Sequence, residues 1–463
     1  MKHLIAAVAA CMLGGCASID TAPQAAPKHI LFFLADGLGL TTMTAARIYA
    51  VGEEGELTID TLPESAFVKT FANNAQVTDS ASSMTAYMTG MKVDYGVVAM
   101  TGDTRAAAPG LDANGKKLVS RCSTGTPAPT LLEMARERGW ATGVVTTTSV
   151  TDATPAATYA HVCNRYLETD IAASLVPGKV DVILGGGRRA FRSVAAGGLR
   201  SDGRDLLAEL QAGGYALAAN RSDLAGTGGS KLVGLFAEHD MQFDAVRDAA
   251  VEPSLSEMTA KAIDVLAKNP QGFFLMVEGG LIDGALHASN AKRALQETVA
   301  FDAALKTAIG KMRAIDPGLK NTLIVATADH DHTLILNGYA RRTGPTTAAQ
   351  PGVLGLVHKV SDNEIRLDAD GAPYTIIGFG TGEHRIQGKR SSVPPLTDAI
   401  VSADGYKQEA AVRTAPDDET HGGTDVYLGA IGTRANTFRG TIDNTRVFEL
   451  IKAAAGWETH AKP

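Results

Sequence analysis

The sequence predicts an α/β protein of three layers, with helices on both faces of a largely parallel central sheet and one small irregular insertion. Three observations point there. Apolar, β-branched runs alternate with stretches of helical spacing. The runs are apolar at consecutive positions, as strands buried on both faces require. The 49 glycines among 463 residues supply the tight connections that many strand-to-helix turns need.

His29–Ala35, HILFFLA, reads as the first buried strand, and a helix follows over Thr42–Ala50. Ala141–Thr147, Val180–Leu184, Gly272–Val277 and Asn321–Thr327 read as further strands. Between them, Pro129–Arg138, Ser201–Gln211, Leu255–Lys268 and Ala288–Arg313 carry apolar residues at helical spacing. From about residue 338 to 418 the periodicity lapses into Gly, Pro, Thr and charge. That section is expected as an insertion rather than a separate domain.

The first residues read as a targeting segment. Met1-Lys2-His3 is a positive start, and Leu4–Leu13 is an apolar core too short to span a bilayer. The run ends in Leu13-Gly14-Gly15-Cys16, which resembles a bacterial lipoprotein signal. A leader is therefore expected at 1–15, a flexible tether at 16–27 and one catalytic domain at 28–463. On this reading Cys16 carries lipid, and the exported protein is periplasmic and anchored to the outer membrane. A plain secretory signal with an incidental cysteine is the simpler alternative. Cys122 and Cys163 remain for the folded body, as one disulfide or as two buried thiols.

A net charge of -7 argues against a nucleic-acid-binding surface. It does not exclude a small anionic substrate, since the field in a cleft can oppose the net sign.

Strand ends carry the chemistry, where open parallel sheets gather functional residues. Asp36 follows the first strand, Glu278 and Asp329-His330 follow two others, and Asp152 and Thr154 follow the strand ending near Thr147. Singly, each reads as a turn residue. Asp283 and His287 lie four apart, so on a helix they share one face and can grip one ion. His421 stands between turn residues in Glu419-Thr420-His421-Gly422-Gly423. Imidazole-rich ligand sets suit Zn²⁺ and all-oxygen sets suit Mg²⁺. Asp79-Ser80 fits two roles, a helix N-cap or a nucleophile at the positive end of a helix.

These blocks, LADGLG, TDSASS, TTTSVTDATPAATYAHVCNR, DVILGGGRR, MVEGGLIDGALH, ATADHDH and DETHGG, stand in an order that resembles the alkaline phosphatases, bacterial and animal, over nearly the whole chain after the tether. The resemblance implies an alkaline-phosphatase-like fold and hydrolysis of small phosphate monoesters through a phosphoserine on Ser80. It implies two Zn²⁺ and one Mg²⁺ per chain. Asp283, His287 and His421 match the first zinc site. Asp36, Asp329 and His330 match the second, completed by Ser80. Asp36, Thr154 and Glu278 match the magnesium site, with Asp152 in its outer shell. Arg165 matches the phosphate-binding arginine, Asp79 would orient it, and His332 would steady a zinc-binding aspartate. The resemblance also admits a homodimer.

The chemistry suits these types. A serine hydroxyl is a weak nucleophile until a metal lowers its pKa. A guanidinium grips two phosphate oxygens in one plane. Three dications against the carboxylates of Asp36, Glu278, Asp283 and Asp329 leave a positive surplus of two, matching a monoester dianion.

The chain departs from the family at Gly284, where many members carry Lys or His, and at Ser82-Ser83-Met84 after the nucleophile. The rival readings are a phosphodiesterase or nucleotide pyrophosphatase of the same superfamily, and a non-catalytic metal-binding envelope protein. A sulfatase would need Pro and Arg after its nucleophile, and Ser80-Ala-Ser-Ser-Met lacks both. Thr154 with Glu278 argues against a diesterase, which lacks the magnesium site. Retention of Ser80 and Arg165 argues against storage, which needs neither.

Overall fold

The computed structural model describes residues 25–110, 119–176, 178–392 and 394–457. The leader expected at 1–15, Cys16 and the tether as far as residue 24 lie outside them. The central sheet has ten strands: β1 His29–Ala35, β2 Glu64–Lys69, β3 Ala141–Ser149, β4 Val182–Gly186, β5 Ala216–Ala218, β6 Leu232–Leu235, β7 Phe273–Gly279, β8 Thr322–Ala328, β9 Val426–Gly432 and β10 Gly440–Asp443. Their order is β10-β2-β9-β8-β1-β7-β3-β4-β6-β5. All run the same way except β9, which is antiparallel to both neighbours. The expected parallel sheet is thus present, with one reversed strand.

Strands β1, β7 and β8 are buried along almost their whole length, which explains their unbroken apolar sequences. One face of the sheet is covered by helices Leu40–Val51, Leu255–Leu266 and Ala291–Ile315, the other by Ser80–Thr89, Leu131–Glu137 and Asn444–Ala455. Capping residues set several boundaries. Thr130 with Glu133, and Ser254 with Glu257, form reciprocal capping boxes.

Two expected helices need correction. The one read at Ser201–Gln211 begins only at Leu206, because the Asp205 side chain accepts from Leu207 N and Ala208 N and so caps it. The one read at Ala288–Arg313 begins at Ala291, because Ser289 turns to φ +51 and Asn290 caps the new helix. A separate short helix, Leu281–His287, precedes that break. The section 338–418, read as irregular, contains strands Ile377–Gly382 and Ala410–Arg413, which join Leu334–Leu336 in a second, three-stranded sheet. Cys122 and Cys163 form a disulfide, with Cα atoms 5.3 Å apart.

Candidate active site

Sheet register assembles the acids. Ala35 pairs with Ala328 on one side and Gly279 on the other, so Asp36, Asp329 and Glu278 emerge side by side from three adjacent strands. Glu278 is also opposite Thr146 of β3. The next residue after Asp36 must turn sharply. Gly37 has φ +72, and a Cβ there would sit 2.6 Å from the His332 ring, so only glycine fits. Its N–H donates to Asp329 Oδ1 at 3.0 Å and fixes that carboxylate.

Ser80 is the first residue of its helix and is almost completely buried. Asp79 is the N-cap: Oδ1 accepts from Ser82 N at 3.1 Å and Ser82 Oγ at 2.6 Å. The cap thus falls on Asp79, and Ser80 is the first residue inside the helix. Asp79 Oδ2 accepts from Gly96 N at 3.1 Å and from Arg165 Nη1 at 3.2 Å. Arg165 Nη2 reaches Asp152 Oδ1 at 3.1 Å. The guanidinium is clamped between two carboxylates, which together outweigh the burial that opposes its charge. Ser80 Oγ lies 3.4 Å from His330 Nε2.

Three imidazoles present Nε2 inward. His421 Nδ1 donates to the Thr78 carbonyl at 2.8 Å, His287 Nδ1 to the Glu419 carbonyl, and His330 Nδ1 to the Asp331 carbonyl at 3.3 Å. A carbonyl only accepts, so in each ring the proton is on Nδ1 and a lone pair remains on Nε2. His421 Nε2 is 3.2 Å from His287 Nε2 and 3.6 Å from Asp283 Oδ1, and His287 Nε2 is 3.4 Å from the same oxygen. Burial, with His330 and His332 packed beside it, pushes His421 down to about 2, so it stays neutral. His332 also faces this cluster, but both its nitrogens are engaged, Nε2 with Asp283 Oδ1 at 2.7 Å and Nδ1 with Glu419. It has no lone pair to offer.

A second cluster adjoins the first. His330 Nε2 is 3.3 Å from Asp36 Oδ1 and 3.4 Å from Asp329 Oδ2. Ligand atoms of Asp36, Asp283 and His330 all fall within 4.8 Å of one another, so Asp283 stands within reach of both clusters. Thr154 Oγ1 donates to Asp36 Oδ2 at 3.3 Å. Glu278 Oε2 accepts from Thr146 and, at 3.3 Å, from Thr148.

Asp36 Oδ1, Asp329 Oδ2 and Glu278 Oε1 are buried and lack any hydrogen-bond partner. Burial, with the charges of Asp283 and Asp152 for Asp36 and of Asp36 for the other two, holds Asp36 and Glu278 well above the usual carboxylate range and pushes Asp329 up to about 8. Three crowded acids that protein groups leave unsatisfied are what divalent cations require. In contrast, burial works against ionising Asp283, but the His332 hydrogen bond and nearby His287 hold its carboxyl well below the usual range.

A family model described as alkaline phosphatase matches residues 27–457. The chain belongs to the alkaline phosphatase family. It is 36% identical to the tissue-nonspecific alkaline phosphatase of Gallus gallus, over 93% of this chain and 85% of that protein. It is 33% identical to the alkaline phosphatase of Gadus morhua, over 95% and 94%. A mutant alkaline phosphatase of the Antarctic bacterium TAB5, solved with Mg bound in its M3 site, superposes with a TM-score of 0.66 at 25% identity, over 94% of this chain and 99% of that one. The chain is accordingly a phosphoric monoester hydrolase with an alkaline-phosphatase-like fold and metal-binding residues at its site. Among the described residues no helix is long and apolar enough to cross a membrane.

Every side chain that the alkaline phosphatase resemblance singled out lies at this one end of the sheet. Sequence reasoning passed over Thr146, Thr148 and Glu419. The threonines fall inside an apolar strand, where a β-branched residue carries no special signal. Glu419 lies inside the DETHGG block and was overlooked beside His421.

Proposed function

We propose that Ser80 is the nucleophile of this phosphomonoesterase, and that two zinc ions and one magnesium complete the site. Asp283, His287 and His421 would hold one zinc. Asp36, Asp329, His330 and Ser80 would hold the other. Asp36, Thr154 and Glu278 would hold the magnesium, with Asp152 beside it. The observation that carries this reading is Ser80 Oγ at 3.4 Å from His330 Nε2, at a helix N-terminus, beside three buried carboxylate oxygens that lack partners.

Arg165 binds two oxygens of the ester's phosphoryl group with the donors that Asp79 and Asp152 leave free, and so orients phosphorus toward Ser80. Ser80 Oγ gives up its proton to solvent and attacks; the new Oγ–P bond forms as the ester P–O bond breaks, and the departing alkoxide takes a proton from solvent. Water then attacks phosphoserine and loses a proton to solvent, the P–Oγ bond breaks, Ser80 Oγ regains a proton, and phosphate leaves. Bound zinc supplies Lewis-acid stabilisation of the serine and leaving oxygens, and magnesium adds fixed positive charge. The test is release of p-nitrophenol from p-nitrophenyl phosphate in alkaline buffer. Chelation should abolish it and zinc with magnesium should restore it; turnover that chelation leaves intact would overturn the metal assignment.

We also propose export and a lipid on Cys16, resting on Leu13-Gly14-Gly15-Cys16 and the short apolar leader before it. Cys16→Ser should move the enzyme from membrane to soluble fractions. A wild-type protein already soluble would end that assignment.

A further inference from the structure

Glu419 is fully buried and its side chain makes three hydrogen bonds. Oε2 accepts from His332 Nδ1. Oε1 accepts from Thr333 N at 2.8 Å and from Thr333 Oγ1. Its backbone does as much: the carbonyl takes the Nδ1 proton of His287, and the N–H donates to the His287 carbonyl at 3.0 Å. It also stands two residues before His421, on the stretch that enters the short antiparallel bridge of His421–Gly422 with Asp331–His332.

One residue therefore bears on all three residues of the first cluster, touching only the His287 side chain itself. It reaches Asp283 through the His332 ring, whose Nε2 is 2.7 Å from Asp283 Oδ1. It orients His287 directly, and it fixes the approach of His421. The hydrogen bonds run in a chain from Thr333, a rigid backbone donor, to the ligand oxygen. From this we infer that Glu419 is a positioning residue for the first metal site, holding Asp283 in ligating orientation through His332. A carboxylate that is tied at both oxygens loses little orientational freedom, and it passes that rigidity to the imidazole it grips.

The inference rests on the reading of Asp283, His287 and His421 as one zinc site, and its test separates the two. The backbone contacts to His287 survive any substitution at this position, so variants report only the hold on His332 and Asp283. Glu419→Leu removes both side-chain anchors at similar volume. Glu419→Gln keeps them, since its amide oxygen accepts from Thr333 and its NH₂ donates to His332 Nδ1, leaving the proton on Nε2 for Asp283. Glu419→Asp withdraws the carboxylate by one methylene and serves if the leucine variant fails to fold. Zinc affinity is measured on metal-stripped protein by competition with a chromophoric chelator, alongside melting of the stripped protein.

The leucine variant should bind zinc at the Asp283, His287 and His421 site about 10- to 100-fold less tightly, the aspartate variant at least about threefold less tightly, and the glutamine variant like wild type. Excess zinc should restore turnover in all three. Unchanged zinc affinity in the leucine or aspartate variant overturns the inference, as does equal loss in the glutamine variant, which would assign the effect to charge. A wild-type protein that binds no zinc would instead refute the site assignment itself.

Discussion

Arg165 Nη1 lies 3.2 Å from Asp79 Oδ2, and the other oxygen of that carboxylate caps the helix that begins at Ser80. One buried acid thus sets the spacing between the Arg165 guanidinium and the Ser80 hydroxyl. Asp79→Asn keeps an acceptor for the cap but loses the charge that holds the guanidinium, and its NH₂ faces the Gly96 and Arg165 donors that Oδ2 accepted from. It should cost about 1–3 kcal/mol of stability and raise KM and the phosphate inhibition constant more than it lowers kcat. Asp79→Ala should lose the cap as well, about 1 kcal/mol further in unfolding by denaturant.

Ser80→Ala removes only an oxygen from a buried helix start. Turnover of p-nitrophenyl phosphate should fall by at least about a thousandfold, with metal content by mass spectrometry near normal because Asp36, Asp329 and His330 remain. Wild-type turnover in this variant would exclude Ser80 as nucleophile.

His421→Ala takes one imidazole from the first cluster and leaves Asp36, Asp329 and His330 intact. Equilibrium dialysis should show the loss of about one zinc per chain. Full zinc content would show that His421 is not a ligand.

Glu297 sits on the helix Ala291–Ile315, its Oε1 accepting from Asp244 N at 2.6 Å. Burial, with the Asp244 charge beside it, raises it from an ordinary 4.5 to about 7. The folded state thus holds a proton that the unfolded state releases. That contribution is complete below about pH 4.5 and is lost as pH rises through about 7, up to roughly 3 kcal/mol. Glu297→Gln keeps the acceptor and removes the titration. Denaturant unfolding at pH 5 and pH 8 should differ less in the variant than in wild type by a measurable part of that amount.

The disulfide closes Cys122 to Cys163, 41 positions apart and two residues before Arg165. Removing it by Cys122→Ser with Cys163→Ser should cost about 4 kcal/mol by loop-closure entropy. It should also raise KM for the ester, because that end of the segment then relies on the Val98–Val162 bridge and the 2.9 Å bond from Arg165 N to the Gly96 carbonyl. An unchanged KM would separate the disulfide from the site.

The central strands were legible because burial on two faces leaves long unbroken apolar runs such as His29–Ala35. Short or half-exposed strands were not. Glu64–Lys69 alternates exposed with buried residues, and Ala216–Ala218 is three residues long. The acids at strand ends were legible as a set once seven blocks stood in order, whereas singly Asp36-Gly37 reads as a turn. What the sequence withheld is partnership between distant segments of the chain. Nothing local tells that Glu278 meets Thr146 or that Glu419 meets His332, since sheet register and a returning strand bring them together.

Strand β9, the one that runs backwards, fills the gap between β2 and β8 and follows directly on His421. While synthesis is still short of residue 432, Ser80 and the acids of the earlier strands already exist, but the sheet has a missing plank. If His421 holds zinc as proposed, ion capture is a late event in the life of each molecule, a half-made copy is inert, and hydrolysis begins only where the finished polypeptide meets its metals.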